Sequence, residues 1–406
     1  MNSNQELIER YKYNADYIGD HPEFRRRIFA KTVVPYQVEF QAASARGSLC
    51  WLKCPFCYGR STVDTKERLS RERALTIMAQ IAQGGVRKII FAGYCTDPLN
   101  CDYIDDLLGA SIGYGQIFGF NTKALVVSEQ FIEHLGSANV ARKSYVSISV
   151  DAGSNGIYNA IHDVPSAQAR LYDKVIDNIR RICEARRRGG NRFDVSATYL
   201  INGQNAVAHE IERFVNDCRA AGCNLLRFAF AQLPRGGVDN VAVIPSAEEV
   251  HAYSRTLAPV IAALNTPACP TFLVDADSEH GIFRKPRSLP CFARFVYPAV
   301  GFDGWLYHCS QSAAPHFRPM ALGNLATHDF WELFYNYDAD DFSGCMLMQS
   351  RQMAGTCCRC DRKEHLVNLA VRNSSVFHDL QPTPEALEMQ VAAPSSQSVV
   401  RSTDVP

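Results

Sequence analysis

The sequence predicts an α/β protein, a partial (β/α)6 barrel carrying a small cysteine-rich module at its C-terminal end. Three observations predict it. From Val34 to Phe230, short β-branched or aromatic runs alternate with amphipathic helical stretches. Six of the 15 Cys fall between Cys291 and Cys360, beyond the last of those runs. The 406 residues are 47% hydrophobic and 21% charged, the composition of a globular chain with a substantial core.

The strand candidates are Pro35 to Gln41, Lys88 to Ala92, Gln116 to Phe120, Tyr145 to Val150, Phe193 to Leu200 and Leu225 to Phe230. Ser70 is placed to cap a helix with Leu75, Met78 and Ala82 on one face, ending at Gly84 and Gly85. Further helices are expected over Gln168 to Arg188 and Ala206 to Ala221. Strands joined by helices must run parallel, because a parallel connection needs a crossover of that length. Six units suit an open, TIM-like barrel better than a closed eight-unit one. Ser246 and Glu249 then read as a capping box. Phe295 to Val300 and Trp305 to Cys309 read as a hairpin, followed by a short helix near Phe330 to Tyr335.

The expected division is an N-terminal extension (1–33), a barrel core (34–237), a helical connection (238–290), a small module (291–380) and a disordered tail (381–406). Forty-two basic residues cancel 42 acidic ones, which argues against nucleic acid or an anionic membrane bound by bulk charge. The run from Arg180 to Arg188 is read as a solvated helix end. No apolar stretch nears the roughly 20 residues of a membrane span, and the opening residues lack the features of a secretory signal, so a cytoplasmic location is expected.

The cysteines carry the chemistry. A long chain with its own core does not need a disulfide framework, so metal or catalytic roles are the better reading. Cys50, Cys54 and Cys57 place three thiols in eight residues directly after the first strand. Such a loop can hold three corners of a four-iron cubane and leave one iron without a protein ligand, open to substrate or cofactor. The competing reading is a zinc-binding interaction module, but closed zinc sites want a fourth ligand and no nearby His completes the set. Cys291, Cys309, Cys357 and Cys360 form a second, four-thiol set that zinc or an iron-sulfur cubane could occupy. Cys345 and Cys358 are left outside it, and Cys183 and Cys218 read as buried apolar residues on helix faces.

The three-cysteine loop, with Phe56 just before its third Cys, resembles that of the radical SAM superfamily. The resemblance implies a [4Fe–4S] cluster whose open iron chelates S-adenosylmethionine, whose reductive cleavage gives a 5′-deoxyadenosyl radical. It also implies a low-potential electron donor such as flavodoxin or ferredoxin. The stretch with Gly93, Thr96, Asp97 and Pro98 resembles the family's Gly-Gly-Glu-Pro segment, which implies that Thr96 or Asp97 meets the S-adenosylmethionine ammonium. Ser149 and Asp151, at the end of the fourth strand, suit the ribose hydroxyls, and Asn121 and Asn205 are weaker candidates of the same kind. The second cysteine group, with Gly304 and Leu322 to Leu325, resembles the twitch module, half of a SPASM domain, implying an auxiliary [4Fe–4S] cluster.

Relatives with that module act in antibiotic pathways on sugars and aminocyclitols, whereas SPASM relatives mostly modify peptides after an N-terminal recognition domain. Fewer than 50 residues precede Cys50, which favours a small polar metabolite, whether sugar, aminocyclitol or nucleoside, over a peptide. Dehydrogenation with electron transfer to the auxiliary cluster is the expected outcome, with His308 or Asp303 as candidate base. Epimerisation by a hydrogen-donor thiol, Cys345 or Cys95, is the alternative, and peptide maturation a further one.

Overall fold

The structure is a computed structural model that describes residues 20–380, apart from 44–49, 58, 60–61, 94–95, 167, 232–242, 275–284, 287–289 and 358. The expected tail, Cys95 and Cys358 therefore lie outside the described residues.

Helix α1 (His21–Phe29) precedes the sheet. The barrel strands are β1 (Val38–Phe40), β2 (Lys88–Phe91), β3 (Ile117–Thr122), β4 (Ser144–Ser149), β5 (Phe193–Ile201) and β6 (Leu225–Phe230), matching the six predicted runs. Between them come α2 (Arg71–Gln83), α3 (Ile104–Gly113), α4 (Glu129–Leu135), α5 (Asn155–Ile161), α6 (Leu171–Arg188) and α7 (Ala208–Ala221). Every neighbouring pair from β1 to β6 is parallel.

Local chemistry sets these limits. The Ser70 side chain accepts the Arg73 N–H to start α2, and the helix stops at Gly84 as expected. Its buried face is Ala74, Ile77, Met78 and Ile81, one step round from the predicted stripe. Helix α8 (Ala247–Ala263) begins with the predicted Ser246–Glu249 capping box.

The sheet is larger than six strands. After α8, β7 (Thr271–Leu273) pairs parallel with β6, inside the stretch expected to be only a helical connection. Three residues carry too little periodicity to be read as a strand. At the other edge, β9 (Ala299–Val300) pairs parallel with β1, and the hairpin continues through β10 (Trp305–Tyr307) and β11 (Gly323–Asn324). One sheet of ten strands thus runs from β11 to β7 through barrel and module together. A separate pair joins β8 (Lys285–Pro286) to β12 (Arg359–Cys360).

Helices α9 (Phe330–Phe334), α10 (Phe342–Thr356) and α11 (Arg362–Arg372) complete the module. The N-terminal helix is held to it: the Tyr337 and Tyr335 hydroxyls donate to the carbonyls of Ile28 and Val33 at 2.6 and 2.8 Å. No helix among the described residues is long and apolar enough to cross a membrane.

Alternation along the strands separates two faces. Val38, Phe40, Phe91, Phe118, Phe120, Val146, Ile148, Val195 and Phe228 belong to the main core beneath the helices. The alternate residues form the concave face. On β4 these are Tyr145, Ser147 and Ser149, each reached by solvent while their neighbours are buried. Asn121, paired with Ser147, is exposed on the same face.

Candidate active site

The three-cysteine loop follows β1. The Cys57 N–H donates to the Cys54 carbonyl at 3.0 Å, closing a turn over Pro55 and Phe56, and the Lys53 N–H donates to the His162 carbonyl at 3.1 Å. Burial raises the Cys50 thiol above its ordinary value and pushes Cys54 up to about 12, with the Lys123 ammonium pulling Cys54 the other way. Each of the two thiols feels the charge of the other loop cysteines or of Cys57, so the three sulfurs share one locality.

Three side chains meet the loop from the ends of β2, β3 and β4. Asp97, after β2, accepts from the Leu99 N–H at 3.0 Å, the Thr122 hydroxyl at 2.6 Å and the Lys123 N–H at 2.6 Å. Burial raises its carboxyl despite those bonds. Lys123, just past β3, lies with Nζ 2.5 Å from Asp151 Oδ2 and 2.7 Å from His162 Nε2, over the Phe56 ring at 5.7 Å. Burial pulls the Lys123 ammonium down, but the charges of Asp151 and Cys54 outweigh it and hold it above its usual value. Burial, then the Lys123 charge, holds His162 well below its usual value. The neutral ring donates from Nδ1 to the Tyr158 carbonyl at 2.7 Å and accepts from Lys123 at Nε2.

These positions revise several expected roles. Asp97 spends both carboxylate oxygens clamping the ends of β2 and β3 together instead of presenting them at the site. Asp151 is fully buried at φ 63°, a left-handed conformation that Asp tolerates. Its Oδ1 accepts the Leu200 N–H at 2.8 Å and its Oδ2 holds Lys123, so both oxygens are engaged within the fold and the carboxylate orients the lysine. Asn205 is likewise structural, donating to the carbonyls of Asp151 and Leu200 at 2.7 and 2.9 Å. Gly93 sits where an added Cβ would lie 1.5 Å from the Thr96 carbonyl oxygen, so only Gly fits the turn. The Thr96 hydroxyl donates to the Ala42 carbonyl at 3.5 Å. Ser149 and Asn121 remain on the concave face at the β4 and β3 ends.

Nothing local in the sequence singles out Lys123 or His162. The sequence run for the third strand ends at Phe120, but the strand continues to Thr122, which places residue 123 at a strand end where barrel sites are built.

In the second group, Cys291, Cys309 and Cys357 share a small core with Tyr307, Phe317 and Met353. Burial pushes Cys291 up to about 12 and Cys309 well above its ordinary value, and both feel Cys357. The Asn368 amide donates to the Cys291 sulfur at 3.5 Å and Ser312 lies 3.6 Å from the Cys309 sulfur. Cys360 is buried on β12, three residues past Cys357. Cys345 packs instead against the main core from α10. Asp303 is committed to the Tyr307 hydroxyl at 2.7 Å and Arg318 Nε at 2.8 Å, and buried His308 to the Gln349 amide at 3.0 Å. Both candidate bases are thus engaged by partners within the fold.

Among the described residues no three His, Cys, Asp or Glu side chains close on a point that could hold a single metal ion. A cubane spreads its ligands over separate corners, so three thiols on one tight loop, Cys54 buried and Cys50 and Cys57 half-buried, fit a four-iron cluster with one open iron.

Residues 46–218 match the family profile described as Radical SAM superfamily. The S-adenosylmethionine-dependent nucleotide dehydratase of Flammeovirga pacifica is 27% identical over 108 residues, 25% of this chain and 35% of that protein. The matched segment thus spans about a third of that curated relative. SuiB of Streptococcus suis bound to S-adenosylmethionine superposes with a TM-score of 0.53 at 13% identity, covering 81% of this chain and 72% of SuiB. The enzyme anSMEcpe with bound AdoMet gives 0.51 at 13% identity, covering 89% of this chain and 96% of its own. At such identities these two likenesses are of fold. The cysteine loop and the partial barrel thus lie in a region, residues 46–218, that matches the radical SAM superfamily, a family that uses a [4Fe–4S] cluster and S-adenosylmethionine.

Proposed function

We propose that this enzyme abstracts hydrogen from a small polar metabolite of sugar, aminocyclitol or nucleoside type and oxidises it, passing the second electron to an auxiliary four-iron cluster on Cys291, Cys309, Cys357 and Cys360. The observation that carries the substrate class is the polar concave face, where Asn121, Tyr145, Ser147 and Ser149 meet solvent on strands whose other faces are sealed in the core. Barrel interiors that serve only packing are filled with branched apolar side chains. The Flammeovirga relative is named for a nucleotide substrate, which belongs to the same broad class.

Bound on the Cys50, Cys54 and Cys57 loop, the cluster and S-adenosylmethionine supply a 5′-deoxyadenosyl radical. The chain's own residues set the geometry. Lys123, fixed by Asp151 and His162 beside the loop, offers a positive charge suited to the cofactor carboxylate. Ser149 offers a hydroxyl to the ribose, and Asn121 an amide beside it. At the second site, four thiolates leave no open coordination position, so the site suits electron transfer rather than substrate binding.

A second reading is peptide modification, favoured by the likeness to SuiB bound to its precursor peptide SuiA, at a TM-score of 0.52 and 14% identity. Epimerisation by a thiol donor is a third outcome of the same site. The test is turnover of candidate substrates in deuterated buffer. A carbonyl or imine product with one 5′-deoxyadenosine per turnover supports oxidation, whereas stable deuterium in an unoxidised product excludes it.

A further inference from the structure

Strands β3 to β6 contain two charged residues, Asp194 and Arg227. On β6, Leu226, Phe228 and Phe230 belong to the main core, so Arg227 projects to the concave side. On β5, Val195, Ala197 and Tyr199 do the same, which turns Asp194, Ser196 and Thr198 to the concave side. The two charges stand at opposite heights. Asp194 lies four residues before Thr198, roughly 13 Å toward the N-terminal edge of the sheet, where its Oδ1 accepts from the Asn224 amide at 2.8 Å. Arg227 is level with Thr198 and, through it, with Ser149 at the C-terminal end of β4.

This part of the face is open to solvent. Arg227 is half-buried, as are Ser147 and Ser149 on β4 and Phe272, level with Arg227 on β7, while Asn121 on β3 is exposed. Packing alone fills barrel interiors with branched apolar side chains, so a permanent cation turned inward calls for a reason. Between Arg227 and the end of β4 the face carries hydroxyls: Ser147 Oγ lies 3.5 Å from Thr198 Oγ1. Ser149, suited above to the cofactor ribose, is two strands or roughly 10 Å from Arg227, far enough for a sugar to lie between them.

We propose that Arg227 is a substrate-binding residue that holds the anionic group, phosphate or carboxylate, of a charged sugar or nucleotide, with the sugar hydroxyls laid along Thr198 and Ser147 toward the end of β4. This rests on the small-metabolite reading above and narrows it to anions. The planar guanidinium pairs with two oxygens of a phosphate or carboxylate at once, whereas a neutral hydroxyl gains a single weaker bond and an ammonium is repelled. Its five N–H groups are enough for a partner within the fold and a ligand together.

The test uses anaerobically reconstituted full-length protein with S-adenosylmethionine bound, titrated calorimetrically with glucose, glucose 6-phosphate and glucuronate at millimolar concentration. At least one of the two anions should bind about 10-fold more tightly than glucose, and the tighter of the two identifies the anionic group. Arg227→Gln should erase that preference, and Arg227→Lys, which keeps the charge but loses the fork, should keep part of it. Equal affinities of the wild type for all three probes, no binding of any probe, or a preference that survives in Arg227→Gln overturns the subsite. An Arg227→Gln variant that loses affinity for S-adenosylmethionine by the same factor assigns the guanidinium to the cofactor and overturns it too. Wild-type protein from the same preparation is assayed for 5′-deoxyadenosine formation without substrate: cleavage without anion preference sinks the subsite alone, and absent cleavage sinks the wider reading.

Discussion

Lys123 and Asp151, at the ends of adjacent strands, form an ion pair of 2.5 Å whose carboxylate is wholly buried. The pair links the strand sheet to the cysteine loop, because Lys123 also lies over Phe56 and is felt by Cys54. Asp151 is in turn fixed by the Leu200 N–H, so the lysine's direction is set by the backbone of β5. A positive charge held this firmly beside three thiols is part of the site's construction rather than a surface ornament.

Replacing Lys123 with Met strands the buried Asp151 carboxylate. A broken buried pair costs about 3 kcal/mol or more, so the denaturant midpoint should fall clearly. Lys123→Met combined with Asp151→Asn should recover part of that loss, because no charge is then left unpaired. Additive losses in the double variant would show that the two side chains are not coupled.

Gly119, on the concave face of β3, lies under the Tyr145 ring: a Cβ there would sit 2.4 Å from ring carbon Cζ. Gly119→Ala should push the ring across the concave face at a cost of about 1 to 3 kcal/mol. Substrate turnover should fall further than formation of 5′-deoxyadenosine without substrate, and comparing the two rates checks it.

Cys50, Cys54 and Cys57 changed together to Ala should remove one cluster and leave the other. Iron analysis after anaerobic reconstitution should fall from about eight to about four atoms per chain. Loss of all the iron would show that the second set does not hold a cluster of its own.

Burial, helped by the Lys363 charge, lowers Lys88 from 10.5 to about 8. Between those values the unfolded chain holds a proton that the folded chain has given up. Lys88 should therefore contribute stability that is complete above pH 10.5 and lost as pH falls to 8, up to about 3 kcal/mol. Lys88→Met should flatten that part of the stability profile, and a methylated Lys88 signal should titrate near 8 by NMR. A midpoint at the ordinary lysine value would contradict the burial.

The sequence by itself determined the strand-and-helix order, because each element advertises itself locally. Leu225–Phe230 is a short leucine- and phenylalanine-rich run, Ser70 and Ser246 are caps, and the spacing of Cys50, Cys54 and Cys57 is a property of one short loop. Local signals cannot show which strand ends adjoin. The clamp of Asp97 on Thr122 and Lys123 joins residues 25 and 26 apart, and Lys123 reaches Asp151 and His162 over 28 and 39 residues. None of those separations is periodic. The addition of β9 to the barrel edge, which turns barrel and module into one sheet, joins Glu39 to Ala299 across the whole core. Only the tertiary structure could decide that Glu364 and Gln41 are buried without donors, since an acceptor's lack of a partner depends on everything packed around it.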